Sequence, residues 1–188
     1  MDLKLNYFLK RSNANGPGIR AVIWTQGCLQ NCPGCCNPQT HPMHQGYRMS
    51  VTKLMQEIMR LGSDIEGITI SGGEPFLQAE ALNCLLLEIK QTTLLSVLIF
   101  SGYEKTLLDT VPLYRACLKN TDVLISGPYQ KDVQPDYNHF CASGNQKLFL
   151  LSSRYQKEDF NNLMTNEIFI QENGTIIMSG LGRIEGIQ

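Results

Sequence analysis

The sequence has no apolar run approaching the ~18 residues that a membrane span requires; its best candidate, Leu94 to Phe100, has the length of a strand. It also lacks an excess of either charge. Lys and Arg number 16 against 17 Asp and Glu, a net charge of -1, and charged residues make up only 18% of the chain, where about 25% is ordinary. That balance offers no basic surface for nucleic acid or anionic lipid, so neither nucleic acid nor membrane is an expected partner. The first twenty residues scatter Asp2, Lys4, Lys10, Arg11 and Arg20 among Asn and Gly, without the uninterrupted apolar stretch of a secretory signal. A cytoplasmic, reducing location is the expectation. Repeats, low-complexity tracts and convincing linkers are missing too. With 188 residues and 43% apolar side chains the chain can bury one sizeable core, and a single domain, 1–188 with its core at about 15–151, is expected.

Cysteine, by contrast, is plentiful and unevenly placed. Four of the seven (Cys28, Cys32, Cys35, Cys36) fall within nine residues. A disulfide framework spreads its cysteines to close loops, whereas this cluster suits thiolates converging on a metal. Cys84 and Cys117 stand in apolar surroundings and read as small core residues; Cys141 has no clear assignment.

Periodicity organises the rest. Arg20 to Thr25 is a short apolar strand bounded by Gly18 and Gly27. Ser50 opens an amphipathic helix carrying Val51, Leu54, Met55, Ile58, Met59 and Leu61, closed by Gly62. Strand Ile65 to Ser71, helix Gln78 to Thr92, strand Ser96 to Ser101, helix Lys105 to Leu118 perturbed by Pro112, and strand Asp122 to Ser126 follow. Continuous apolar strands separated by helices predict a parallel sheet covered by helices. Too few units are present for a closed eight-stranded barrel, so the expected fold is α/β: an open partial (β/α) barrel of parallel strands with helices outside. Gly127 to Gly144 is a long polar and aromatic loop, and Lys147 to Leu151 reads as another strand. Glu167 to Gln171 and Thr175 to Met178 flank Glu172-Asn173-Gly174, which predicts a C-terminal β-hairpin.

Two loops carry chemistry. Cys28-Leu-Gln-Asn-Cys32-Pro-Gly-Cys35 follows the first strand, at the edge where parallel sheets bind ligands. Three thiolates on one short loop can hold three irons of a cubic iron–sulfur cluster and leave the fourth iron open, unlike the four-cysteine ferredoxin run. Tetrahedral zinc, with His41 or His44 as fourth ligand, is the alternative, although structural zinc favours paired C-x2-C knuckles. Cys36 reads as a small loop residue, since adjacent cysteines rarely point at one centre. The second loop, Ser71-Gly72-Gly73-Glu74-Pro75, ends the second strand and exposes backbone to the same edge; alone, a Gly-Gly pair is equally a strand-to-helix turn with Glu74 as a cap. Other residues have blander readings. Trp24 suits packing on the sheet, Arg20 either neutralises a cofactor carboxylate or flanks its strand in solvent, and Asn145-Gln146 either binds polar cofactor atoms or forms a turn. Tyr103 points toward the active edge or covers the barrel mouth.

Together these residues resemble the radical S-adenosylmethionine enzymes, and among them the activating enzymes of anaerobic ribonucleotide reductase. The resemblance runs through Asn15-Gly-Pro-Gly-Ile-Arg20, Gln26-Gly-Cys28, Cys32-Pro-Gly-Cys35, Asn37-Pro38, Thr40-His41, Ser71-Gly-Gly-Glu-Pro-Phe76, Ser101-Gly-Tyr103, Asp122-Val-Leu-Ile-Ser-Gly-Pro128 and Ser143-Gly-Asn-Gln146. It implies that Cys28, Cys32 and Cys35 hold one 4Fe-4S cluster, with no catalytic residue beyond these ligands. S-adenosylmethionine would chelate the open iron through its methionyl amine and carboxylate. The resemblance makes Gly34, Cys36, Asn37, Gly72, Gly73, Glu74, Pro75, Ser101 and Ser126 the candidate cofactor-binding residues, with the Gly72–Pro75 backbone on the amine. The implied reaction is reductive cleavage to a deoxyadenosyl radical that abstracts hydrogen from a glycine of a partner. The implied partners are the large glycyl-radical subunit of anaerobic ribonucleotide reductase and a flavodoxin or ferredoxin-type electron donor. Family members commonly carry an aromatic where Cys36 stands, an acidic residue near Ser126 and an Arg-Gly pair near Cys141-Ala142. These departures keep open a radical enzyme acting on a peptide or small metabolite; a non-catalytic iron–sulfur or zinc module is the remaining alternative.

Overall fold

The computed structural model describes residues 1–181. Its centre is a run of parallel strands, β2 (Arg20–Thr25), β4 (Gly67–Gly72), β5 (Ser96–Ser101) and β6 (Val123–Ser126), with helices between them. Three antiparallel strands extend it: β1 (Asp2–Ser12) and β3 (Tyr47–Ser50) at one edge, β7 (Lys147–Leu150) at the other, in the order β3-β1-β2-β4-β5-β6-β7. The sheet is open, as the count of β/α units requires, with a parallel interior and antiparallel borders.

Strand alternation assigns the two faces. Ala21, Ile23, Ile68, Ile70, Val97, Ile99 and Leu124 point to the helices. They meet Val51, Leu54, Met55 and Ile58 of α1 (Val51–Leu61) and Leu82, Leu85, Leu86 and Ile89 of α2 (Ala79–Thr92). Ser50 caps α1, its Oγ accepting from Lys53 N at 3.2 Å, and Gly62 ends it at φ +53°. The helix expected over Lys105 to Leu118 is two, α3 (Lys105–Thr110) and α4 (Pro112–Lys119), because a proline cannot donate in a helix interior but fits the first turn of the second.

The opposite face carries Leu98, Val123 and Ile125, covered by Phe140 and Cys141 of the long loop with Phe160 and Leu181. Cys141, unassigned from sequence, is thus a core thiol; burial pushes it up to about 12. Cys117 is fully buried on the helix side. Trp24 packs with Tyr7 and with Phe169 of the hairpin formed by β8 (Asn166–Ile170) and β9 (Ile176–Gly180). No helix among the described residues is long and apolar enough to cross a membrane.

Arg20 departs from both readings made of it. Its side chain is fully buried, and it donates to Thr69 Oγ1 (2.7 Å), Ser96 Oγ (2.9 Å), Pro17 O (3.0 Å) and Ile68 O (2.8 Å). It neither meets solvent nor lines the cleft described below. A buried guanidinium persists only when its fork of donors is matched, which these hydroxyls and carbonyls do; burial still lowers its pKa.

Candidate active site

The cysteine loop leaves β2 at Gly27, whose N donates to Thr40 O at 2.7 Å, while Cys28 N donates to His41 O at 3.1 Å. Gln26 Nε2 adds bonds to Gln39 O (3.1 Å) and Pro42 O (2.8 Å), so both ends of the loop are pinned to one another. Within it, Pro33 and Gly34 occupy the middle of a reverse turn closed by Cys35 N on Cys32 O at 3.1 Å, and Gly34 takes φ +70°. Proline then glycine is the pairing such a turn demands. Asn37 N reaches back to Cys35 Sγ at 3.4 Å.

The Gly72–Glu74 turn leaves β4 beside this loop and is bonded to it. Gly73 N donates to Thr25 O at 2.8 Å and Glu74 N to Gly27 O at 2.9 Å. With both amides committed inward, the turn has carbonyl oxygen to offer a ligand, an acceptor set suited to an ammonium group. Gly72 holds φ +104°, and a Cβ at Gly73 would stand 2.1 Å from Gly27 O. These glycines let two backbones touch.

Both loops open onto one cleft at the C-terminal ends of β2, β4, β5 and β6, with about 840 Å³ of empty space including its mouth. This is where parallel α/β sheets place ligands. Cys28, Cys32, Cys35, Cys36, Asn37, Gly72, Gly73, Glu74 and Ser101 all line it. Gly34, Pro75 and Ser126 do not: Gly34 serves the turn, Pro75 opens a short 3-10 helix over Pro75–Gln78, and Ser126 Oγ donates to Tyr103 O at 2.6 Å. Asn145 and Gln146 act as straps: Asn145 Nδ2 donates to Pro128 O at 2.7 Å, and Gln146 joins Gly127 O to Ala142 N. Gln146 still borders the cleft, as do Asn15, Phe100, Gly180 and Leu181. Asn15 opens a motif of the family resemblance, which gives it no site role, and Phe100, Gly180 and Leu181 had no signal of their own in the sequence, because distant segments bring them there.

Among the described residues Glu74 is the only carboxylate lining the cleft, and both its oxygens are engaged by protein donors. Its oxygens accept from Ser101 Oγ (2.9 Å), Gly102 N (2.8 Å) and Phe76 N (3.1 Å), tying the β4 turn to the β5 turn. Burial raises its pKa to about 7, against the pull of those donors. The raised value has a definite sign: the unfolded chain gives up this proton first. Stability therefore falls as pH rises from the ordinary glutamate range through about 7 and is lowest above it. Each pKa unit is about 1.4 kcal/mol, so the full decline is on the order of 3 kcal/mol. Glu74→Gln should flatten that part of the profile in denaturant titrations between pH 5 and 8; a slope equal to the parent's would refute the assignment.

The donor set fits an iron–sulfur cluster. Three thiols of one loop share the cleft, but among the described residues no group of three His, Cys, Asp or Glu side chains is placed to hold a single metal ion. One zinc ion needs such convergence, whereas a cubane takes each thiolate on a different iron. Burial raises the Cys28 and Cys35 pKa values, so thiols free of metal stay protonated and loading must displace those protons.

The chain is similar to known proteins in keeping with this geometry. Residues 14–149 match the family model described as a 4Fe-4S single cluster domain. The anaerobic ribonucleoside-triphosphate reductase-activating protein of Enterobacteria phage T4 is 29% identical over 149 residues, 77% of this chain and 92% of that protein. The pyruvate formate-lyase-activating enzyme of Clostridium pasteurianum is 31% identical over 137 residues, 71% of this chain, which thereby spans only 54% of that enzyme. In fold, the crystal structure of QueE from Escherichia coli aligns with TM-score 0.53 and 19% identity over 70% of this chain and 61% of that one. The cluster-domain match displaces the zinc alternative. From the site and these similarities together, the chain belongs to the 4Fe-4S single cluster domain family and is a radical S-adenosylmethionine protein with one 4Fe-4S cluster and S-adenosylmethionine as its cofactors.

Proposed function

We propose that this chain activates an anaerobic ribonucleotide reductase by generating a glycyl radical on its large subunit. The observation that carries the reading is that a chain with both cofactor loops on one cleft spans 92% of a reductase-activating protein but only 54% of a pyruvate formate-lyase-activating enzyme.

Cys28, Cys32 and Cys35 would hold the cluster, and the Gly72–Glu74 carbonyls would accept from the methionyl ammonium. Held by these residues and reduced by one electron from a flavodoxin or ferredoxin-type donor, the cluster and S-adenosylmethionine would supply the radical chemistry that removes a hydrogen atom from the partner's glycine. The chain's own work is positional. The bonds from Gly73 and Glu74 to the base of the cysteine loop fix the distance between amine site and cluster site, while Phe100 and Ala142 give the cleft part of its apolar lining.

Mixing reconstituted protein with the cognate reductase, S-adenosylmethionine and a one-electron reductant should give a glycyl radical visible by electron paramagnetic resonance. Pyruvate formate-lyase in the same assay should stay silent. Absence of the radical with reductase, together with deoxyadenosine release that rises only when a peptide or metabolite is added, would transfer the assignment to direct modification of that substrate.

A further inference from the structure

The C-terminal hairpin lies outside the segment matched by the family model, yet Gly180 at its end and the adjoining Leu181 line the cleft. What holds it there is a polar cluster. The Glu167 carboxylate on β8 accepts from Ser12 Oγ at 2.7 Å, Asn13 N at 2.9 Å and Asn13 Nδ2 at 2.8 Å. On β9, Ser179 Oγ accepts from Asn15 Nδ2 at 2.5 Å, and the same amide donates to Ser12 Oγ at 2.7 Å. Ser12, Asn15 and Ser179 are buried, so the bonds among these three stand without competing water, while those from Asn13 to Glu167 lie at the surface. The chain of contacts continues into the sheet, where Asn15 O accepts from Thr69 Oγ1 at 2.6 Å and Thr69 Oγ1 accepts from Arg20 Nε at 2.7 Å. Asn15 itself borders the cleft.

The cofactor side of the cleft is assembled without this cluster. The bonds joining the cysteine loop, the Gly72–Glu74 turn and the Ser101–Gly102 turn run among those three segments and include no residue of the hairpin. The hairpin wall is therefore separable from the cofactor loops. We propose that Glu167 is a positioning residue: its carboxylate clasps the hairpin to the β1–β2 turn and so builds, from Asn15, Gly180 and Leu181, the wall that receives the partner's glycine-bearing segment. The substrate half of this rests on the glycyl-radical reading; the clasp does not.

The two halves are tested by different measurements. In Glu167→Ala, reconstituted iron and the deoxyadenosine released without partner should equal those of the parent. The glycyl radical formed per deoxyadenosine should fall about ten-fold, the scale set by losing hydrogen bonds to a charged group. The KM for the reductase should rise while that for S-adenosylmethionine holds. Ser12→Ala should act in the same direction, and the double variant should be no worse than Glu167→Ala, since both remove one cluster. Amide hydrogen exchange at Asn15 and Leu181, measured without partner, should speed up in both variants. Unchanged exchange would overturn the clasp. Faster exchange with an unaltered coupling ratio and KM would overturn its substrate role. A parent protein that makes no glycyl radical while exchange still responds would sink the functional reading and leave the clasp standing.

Discussion

Cys32→Ala should abolish the iron–sulfur cluster, taking iron from about four per chain to background in protein reconstituted without oxygen. The substitution is informative because it spares the loop. Cys32 contributes its carbonyl to the turn, accepting from Cys35 N at 3.1 Å, and alanine supplies the same carbonyl, so the loss is of a thiolate and not of a fold. Cys28→Ala and Cys35→Ala should behave alike. Cys36→Ala is the sharper control, since Cys36 borders the same cleft and should nonetheless leave iron in place. Cys84→Ala should also retain it. Full iron in Cys32→Ala, or stoichiometric zinc in protein prepared without oxygen, would overturn the ligand set.

Gly73→Val should cost the protein both cofactors. From sequence, a branched side chain here would stand where the cofactor amine approaches and leave the iron alone. The structure turns that side chain elsewhere: a Cβ at Gly73 meets Gly27 O at 2.1 Å, Gly27 C at 2.7 Å and Gly27 N at 3.1 Å. The obstacle is backbone at the root of the cysteine loop and cannot swing aside. Relief requires breaking the 2.8 Å bond to Thr25 O or the 2.9 Å bond from Glu74 N to Gly27 O, which shifts Cys28 with it. A destabilisation of about 2–4 kcal/mol is the scale for a steric and backbone disruption of this kind. Iron content, S-adenosylmethionine affinity and thermal midpoint should all drop together, whereas Gly62→Ala, whose Cβ meets nothing within 4 Å, should leave iron and cofactor binding intact. Parent-like iron with weakened cofactor binding in Gly73→Val would restore the simpler reading.

The parallel core was legible because strands such as Arg20 to Thr25 and Ser96 to Ser101 are buried on both faces and so read as short, mainly apolar runs. The borders were not. In β1, Leu3 and Leu5 face the helices but Leu9 faces the other side, because the pairing with β2 slips between Leu5 and Tyr7; a bulge of that sort scrambles the alternation that would announce a strand. β3 is an exposed four-residue edge held through its pairing with β1, and nothing in Tyr47 to Ser50 marks it out alone.

The candidate site divides the same way. Spacing singled out Cys28, Cys32 and Cys35 as candidates, and the family resemblance added the Gly72–Glu74 turn; the structure brings both loops to one cleft, since short loops after parallel strands open onto one edge. The destination of Glu74's carboxylate, the burial of Arg20 and the attachment of the C-terminal hairpin depend on partners 27, 49 and 155 residues away. The sequence by itself determined the candidate donors, through their identity and spacing along a few contiguous residues. Only the tertiary structure decided what surrounds them, because buried polar groups must be matched by whatever donors and acceptors the folded chain brings within about 3 Å, and local spacing does not encode that match.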